Sequence, residues 1–206
     1  MSEQETNETQ GDDAQAPVRK RPRPGERRLQ ILQTLASMLE QPGAERITTA
    51  ALSARIGVSE AALYRHFASK AQMFEGLIDF VEQSIMGLIR QVTDREAEGP
   101  VQASRIVALL VQFGEKNPGM TRVMTGDALV HEHARLQERV NLLFDKIEAQ
   151  LRQSLRSSEG ATPTVDAQVT ASLLVAFLMG RLQRYARSGF KRLPSEQLAL
   201  CLARLV

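Results

Sequence analysis

Between Gly57 and Phe74 the chain reads GVSEAALYRHFASKAQMF, which places Ser59, Tyr64, Arg65, His66 and Lys70 within twelve residues of one another. Hydroxyl, phenol, guanidinium, imidazole and ammonium groups all donate hydrogen bonds, and they suit phosphate oxygens and base edges. Catalysis would need more than donors. The chain has no Gly-rich phosphate loop, and no Ser/His/Asp set beyond what a sequence of this size holds by chance. The spacing points to a polar contact surface, and enzyme chemistry is not expected. His131-Glu132-His133 resembles a metal motif, but residues two apart on a helix point about 200° apart and cannot share an ion. A solvated helix face is expected there, with no metal and no cofactor. Cys201 stands alone, which excludes a disulfide framework and a thiolate metal site within one chain.

The elements that must carry this surface follow from apolar spacing. A first helix is predicted from about Gly25 to Gln41, with Leu29, Leu32, Leu35, Ala36 and Leu39 at three- and four-residue steps and Pro42-Gly43 as its stop. A second runs from Thr48 or Thr49 to Gly57, and Ser59 caps a short third that reaches about Phe67. Gly57 gives the turn between them a permissive backbone, and Ala51, Leu52, Ile56, Val58 and Leu63 form the inward apolar set. This is a helix-turn-helix, whose second helix enters the DNA major groove. The DNA-binding candidates are then Thr48, Thr49, Ser59, Glu60, Ala61, Ala62, Tyr64, Arg65, His66 and Lys70. Tyr and Lys suit phosphate, helix N-termini present free N–H groups, and Ala allows close approach to thymine methyls.

Charge supports a polyanionic partner. Residues 1–16 carry five acidic groups and no basic one, whereas residues 17–75 carry ten Lys or Arg against five Glu, a net of +5. Residues 1–24 are nearly free of apolar side chains and are expected to be disordered. Their end, PVRKRPRP, supplies Arg19, Lys20, Arg21 and Arg23 as an accessory basic arm. The acidic N-terminus is unlike a signal peptide and no apolar run reaches bilayer length, so no membrane span and a cytoplasmic location are expected.

Downstream the pattern stays helical. Ser69 caps a fourth helix that continues to near Thr93, with Gln72 placed for a capping box. Gly99-Pro100 opens a fifth, Asn117-Pro118-Gly119 ends it, and a brief sixth reaches Gly126. A seventh is predicted from Asp127 to about Ser157, then a loop over SSEGATPT, an eighth from about Val165 to Arg187, and a ninth from Pro194-Ser195. No strand pattern competes. The expected fold is all-α: a tail and arm over 1–24, a helix-turn-helix unit over 25–70, and a helical dimerisation and partner-binding unit over 71–206.

ITTAALSARIGVSEAALYRHFASKAQMF resembles the N-terminal domain of the TetR family, whose hallmark Tyr-x-His-Phe-x-x-Lys stands here as Tyr64, His66, Phe67 and Lys70. FGEKNPGMTRVMTGDAL and LFDKIEAQLRQSLR resemble, more narrowly, the nucleoid occlusion branch of that family. The likeness runs from about Arg27 to the C-terminus and leaves out residues 1–16. It implies a nucleoid-associated homodimer that binds palindromic double-stranded DNA and the C-terminal tail of the tubulin-like division protein FtsZ. In that branch the tail contacts a groove between the fourth and fifth helices. Phe80, Ser84, Leu88, Leu109, Phe113, Lys116 and Asn117 fall there, with the two Phe as apolar anchors and Lys116 facing an acidic peptide. Leu88 stands where the branch can carry an Arg. The wider family implies an alternative, a ligand-responsive transcriptional repressor with an apolar effector cavity. An absence of Trp and only two Tyr give that cavity little support.

The seventh helix has apolar steps at Leu136, Val140, Leu143, Phe144, Ile147 and Leu151, and the eighth is apolar on nearly all sides through Met179. Paired across a two-fold axis they would form a four-helix dimer interface, with Leu174 in its apolar stripe. An intramolecular core for both helices is the competing reading.

Overall fold

A computed structural model describes residues 25–41, 46–156 and 164–206. The acidic tail, the basic arm, the Pro42-Gly43 stop and most of the SSEGATPT segment lie outside those residues. The helices are α1 (Glu26–Leu39), α2 (Thr49–Ile56), α3 (Glu60–Tyr64), α4 (Lys70–Thr93), α5 (Gly99–Lys116), α6 (Pro118–Met124), α7 (Ala134–Arg156), α8 (Thr164–Arg187) and α9 (Leu198–Leu202). Among the described residues there is no strand, and no helix is long and apolar enough to cross a membrane.

Three boundaries differ from expectation, each for a tertiary reason. α3 stops at Tyr64, which lets the chain swing the Phe67 ring into the core. α7 starts at Ala134, because Gly126 turns the chain at φ 80° and a 3₁₀ turn over Asp127–Leu129 buries Ala128 and Leu129. His131-Glu132-His133 therefore sits in a turn, not on the helix face expected. Pro194 does not open α9. The Arg181 guanidinium donates to the carbonyls of Pro194 (3.1 Å) and Glu196 (2.5 Å), holding a turn that ends at Gln197 with φ 52°.

The inward faces are also adjusted. Ile31 is buried in α1 while Leu29 is exposed, so Leu29 does not belong to that stripe. Ala51 is exposed, and Ser53 takes the inward position on α2 by donating its hydroxyl to the Ala50 carbonyl.

Behind the helix-turn-helix, α4, α5, α7 and α8 pack around one another, and α1 rests on α4 and α6. Every apolar step predicted on α7 is buried within a single chain, as is Leu174 at 0% exposure. Those side chains therefore face the protomer's own core, while Leu142 on α7 stays 53% exposed. α8 keeps a free face of its own, with Val169 and Leu173 each 52% exposed.

Candidate nucleic-acid interface and partner cleft

The helix-turn-helix is fixed by local bonds that use the polar groups of its own sequence. Thr48 caps α2, its hydroxyl oxygen accepting from the Ala51 N–H at 3.1 Å, and Ser59 caps α3 by accepting from the Ala62 N–H at 3.3 Å. Gly57 takes φ 76°, so its N–H reaches the Ala54 carbonyl (3.2 Å) while the Val58 N–H reaches that of Ser53 (3.0 Å). The Thr49 hydroxyl donates to Glu60 at 2.6 Å, clamping the start of α2 to the start of α3.

What remains outward is a donor-rich edge. Ala61, Tyr64, Arg65 and His66 are exposed and Ala62 is half-buried, whereas Leu63 and Phe67 point inward and are buried. The Thr48 and Ser59 hydroxyls keep their protons free to donate. Arg28 was not singled out by the sequence, yet it braces this edge from α1. Its guanidinium donates to the His66 carbonyl at 2.9 Å and lies 4.0 Å above the Phe67 ring. Its place one turn before Leu32 and two before Leu35, on the inward side of α1, is the signal that would have found it.

Lys70 is placed differently from the other candidates. Its ammonium is ion-paired with Glu132 and sits 5.7 Å from the centre of the Phe74 ring. The Glu132 side chain is only 10% exposed, so Lys70 neutralises a carboxylate with little access to water. Any phosphate would have to share this ammonium. Lys70→Ala is therefore expected to cost about 2 kcal/mol in urea denaturation, because it strands a nearly buried carboxylate. Adding Glu132→Gln should recover most of that loss. Unchanged stability in Lys70→Ala would contradict the structural role.

The predicted partner residues divide into two groups. α4 and α5 are joined by five residues and pack together, which makes them antiparallel neighbours. Leu88 and Leu109 line a cleft of about 380 Å³ on that seam, together with Val92, Arg95, Arg105 and Ala108. Phe80, Ser84, Phe113, Lys116 and Asn117 are not among its lining residues. Phe80 and Phe113 are half-buried against the core. The polar handles beside them are already used: Ser84 donates to the Phe80 carbonyl at 2.8 Å, and Asn117 to that of Phe113 at 2.7 Å. Lys116 is exposed.

Arg95 and Arg105 are the cations the sequence reading missed. Leu88, Val92 and Arg95 follow i, i+4, i+7, as do Arg105, Leu109 and Gln112, so extending each helical face would have found both. Arg105 is paired with Glu96 at 2.9 Å and its side chain remains 60% exposed.

Two family descriptions match the chain. Residues 31–77 match the bacterial regulatory proteins of the tetR family, and residues 98–203 match the SlmA-like tetracyclin repressor-like C-terminal domain. A nucleoid occlusion factor SlmA from Photobacterium profundum is 52% identical over 174 residues, covering 82% of this chain and 89% of the relative. That of Alteromonas mediterranea is 47% identical over 174 residues, covering 83% and 89%. Among solved structures, the TetR family regulator PfmR from Thermus thermophilus superposes with a TM-score of 0.68 at 19% identity, covering 85% of this chain and 96% of its own. A TetR-like regulator from a Rhodococcus species gives 0.67 at 18%, covering 90% and 97%. At such identities the solved structures speak to the fold alone.

Proposed function

Because this chain belongs to the TetR family and, within it, to the SlmA nucleoid occlusion factors, we propose that it binds specific palindromic DNA and the FtsZ C-terminal tail. Residues 25–70 form the DNA-reading unit, aided by the Arg19–Arg23 arm, and residues 71–206 form the dimerisation and partner unit. Acting at the nucleoid, it would oppose division-ring assembly over the chromosome.

The observation that carries the partner half is the α4–α5 cleft. Leu88, Val92 and Leu109 offer apolar side chains there, while Arg95 and Arg105 offer positive charge to an acidic peptide. The cleft moves the expected contact toward the C-terminal end of α4, away from Phe80. The repressor reading would need an effector cavity among α5, α7 and α8, and Ile106, Leu110, Leu143, Ile147, Leu174 and Leu178 pack there, buried to 1% exposure or less.

Arg95→Glu should weaken a synthetic FtsZ-tail peptide about tenfold or more, since it places like charges together at the cleft. Arg95 is exposed and lies outside the helix-turn-helix, so affinity for a palindrome selected from random duplexes should be unchanged. Fluorescence anisotropy with each ligand reads both. Unaltered peptide binding would return the cleft to being ordinary surface.

A further inference from the structure

Arg105, Ala108 and Gln112 line the α4–α5 cleft on one side of α5 and a second cleft, of about 530 Å³, on the other. They follow i, i+3, i+7 and so form one ridge along α5, with a single methyl group, that of Ala108, at its middle. Leu198, Ala199 and Leu202 of α9, with Ala203 just after it, make the far wall of the second cleft. That wall is held in place. Arg181 donates to the Pro194 and Glu196 carbonyls and, at 3.0 Å, to the Cys201 sulfur, while the Ser195 N–H donates to the Glu115 carboxylate at 3.2 Å. The groove is therefore shaped before anything enters it, which lowers the ordering cost of binding.

We propose that the α5–α9 cleft is a second half of the partner surface, filled by the same acidic peptide after it crosses α5 over Ala108. This rests on the reading that the α4–α5 cleft takes that peptide. Grooves on either side of one helix lie about 10 Å apart, which an extended chain spans in about three residues. One apolar side chain would enter between Leu88, Val92 and Leu109, and a second would rest on Leu198 and Leu202. A carboxylate between the two would meet Arg105 on the shared ridge, whose side chain is 60% exposed and whose guanidinium would be shared with Glu96 at 2.9 Å. Continuity of the two clefts and the charge at their junction favour this occupant over a second copy of the chain.

The test compares Ala199→Glu with Arg95→Glu, each titrated with the synthetic FtsZ-tail peptide, and follows both by sedimentation. Ala199 is exposed on the wall of the second cleft, away from the core and from the DNA edge. Both variants are expected to bind the peptide about tenfold more weakly while keeping wild-type DNA affinity and oligomeric state. Shortening the peptide from one end should abolish its sensitivity to Ala199→Glu and leave its sensitivity to Arg95→Glu. If only Arg95→Glu weakens binding, the second cleft is empty surface and the proposal fails while the first cleft stands. If the wild type does not bind the peptide, or neither variant matters, both readings fail. A change in oligomeric state with Ala199→Glu would assign the cleft to contacts between copies and overturn the proposal. Should Ala199→Glu lose DNA and peptide together, Ala203→Glu on the same wall decides by the same criteria.

Discussion

Gly119→Ala is expected to destabilise the protein by about 3 kcal/mol and to abolish specific DNA binding. A Cβ at Gly119 would lie 1.9 Å from the carbonyl oxygen of Ala36 and 2.8 Å from its carbonyl carbon. Those are backbone atoms of α1, so no side-chain rotation relieves the clash; α1 itself must retreat from α6. Overpacking of a close contact costs about 1–3 kcal/mol, and a rigid backbone partner puts this site at the upper end. The consequence reaches the DNA edge because α1 carries Arg28, which braces His66 and Phe67, and because Arg122 on α6 donates to the Leu39 carbonyl at 3.3 Å. Two recognition helices must meet successive major grooves at a fixed spacing, and a tilt of α1 disturbs that fit. Gly87 is the control. A Cβ there meets nothing within 4 Å, so Gly87→Ala should stabilise by about 0.5–1 kcal/mol through helix propensity. Urea denaturation of both variants, with a DNA titration, separates the cases. Equal stability for the two would show that α1 and α6 do not approach as closely as described.

The parts of the fold that the sequence made legible are those fixed by neighbours in the chain. Thr48, Ser59 and Ser69 cap helices through residues three positions on, and Gly57 makes its turn with its own helix end. Even here one detail shifted: Gln72 returns its bond to the Ala68 N–H, one residue before the position a capping box uses. What was not legible depends on contacts between distant residues. Lys70 and Glu132 are 62 positions apart, and nothing local marks the lysine as engaged. The start of α7 was misplaced because Asp127–Leu129 has helix-compatible residues, and only the burial of Ala128 and Leu129 explains why the chain tightens there. The residues expected to meet a partner fall on α4 and α5, but where those two helices leave a cleft depends on how they splay, which periodicity does not encode. Leu173 and Leu174 pose the sharpest case. On a helix apolar on nearly all sides, spacing alone cannot say which leucine faces inward.

That pair yields the last prediction. Leu173→Glu should convert a dimer into monomers that remain folded, and specific affinity for a palindromic site should fall about 10³-fold toward non-specific binding. Val169, Leu173, Ala176 and Gly180 follow i, i+4, i+7, i+11 and are all exposed on α8, and a Cβ at Gly180 would meet nothing in its own chain. Such an exposed apolar stripe suits a contact with a second copy. Across a two-fold axis the same patch is used by both copies, so one substitution buries two charges in an apolar contact. Within a single chain, however, position 173 is exposed, and a surface change there costs within about 0.5 kcal/mol. Leu174→Glu must behave otherwise. That side chain is fully buried, so a charge there should unfold the protomer rather than merely separate two. Sedimentation at micromolar concentration, paired with thermal melts, distinguishes a folded monomer from an unfolded chain. A Leu173→Glu protein that sediments as the wild-type dimer would show that the subunits meet on some face other than this stripe of α8.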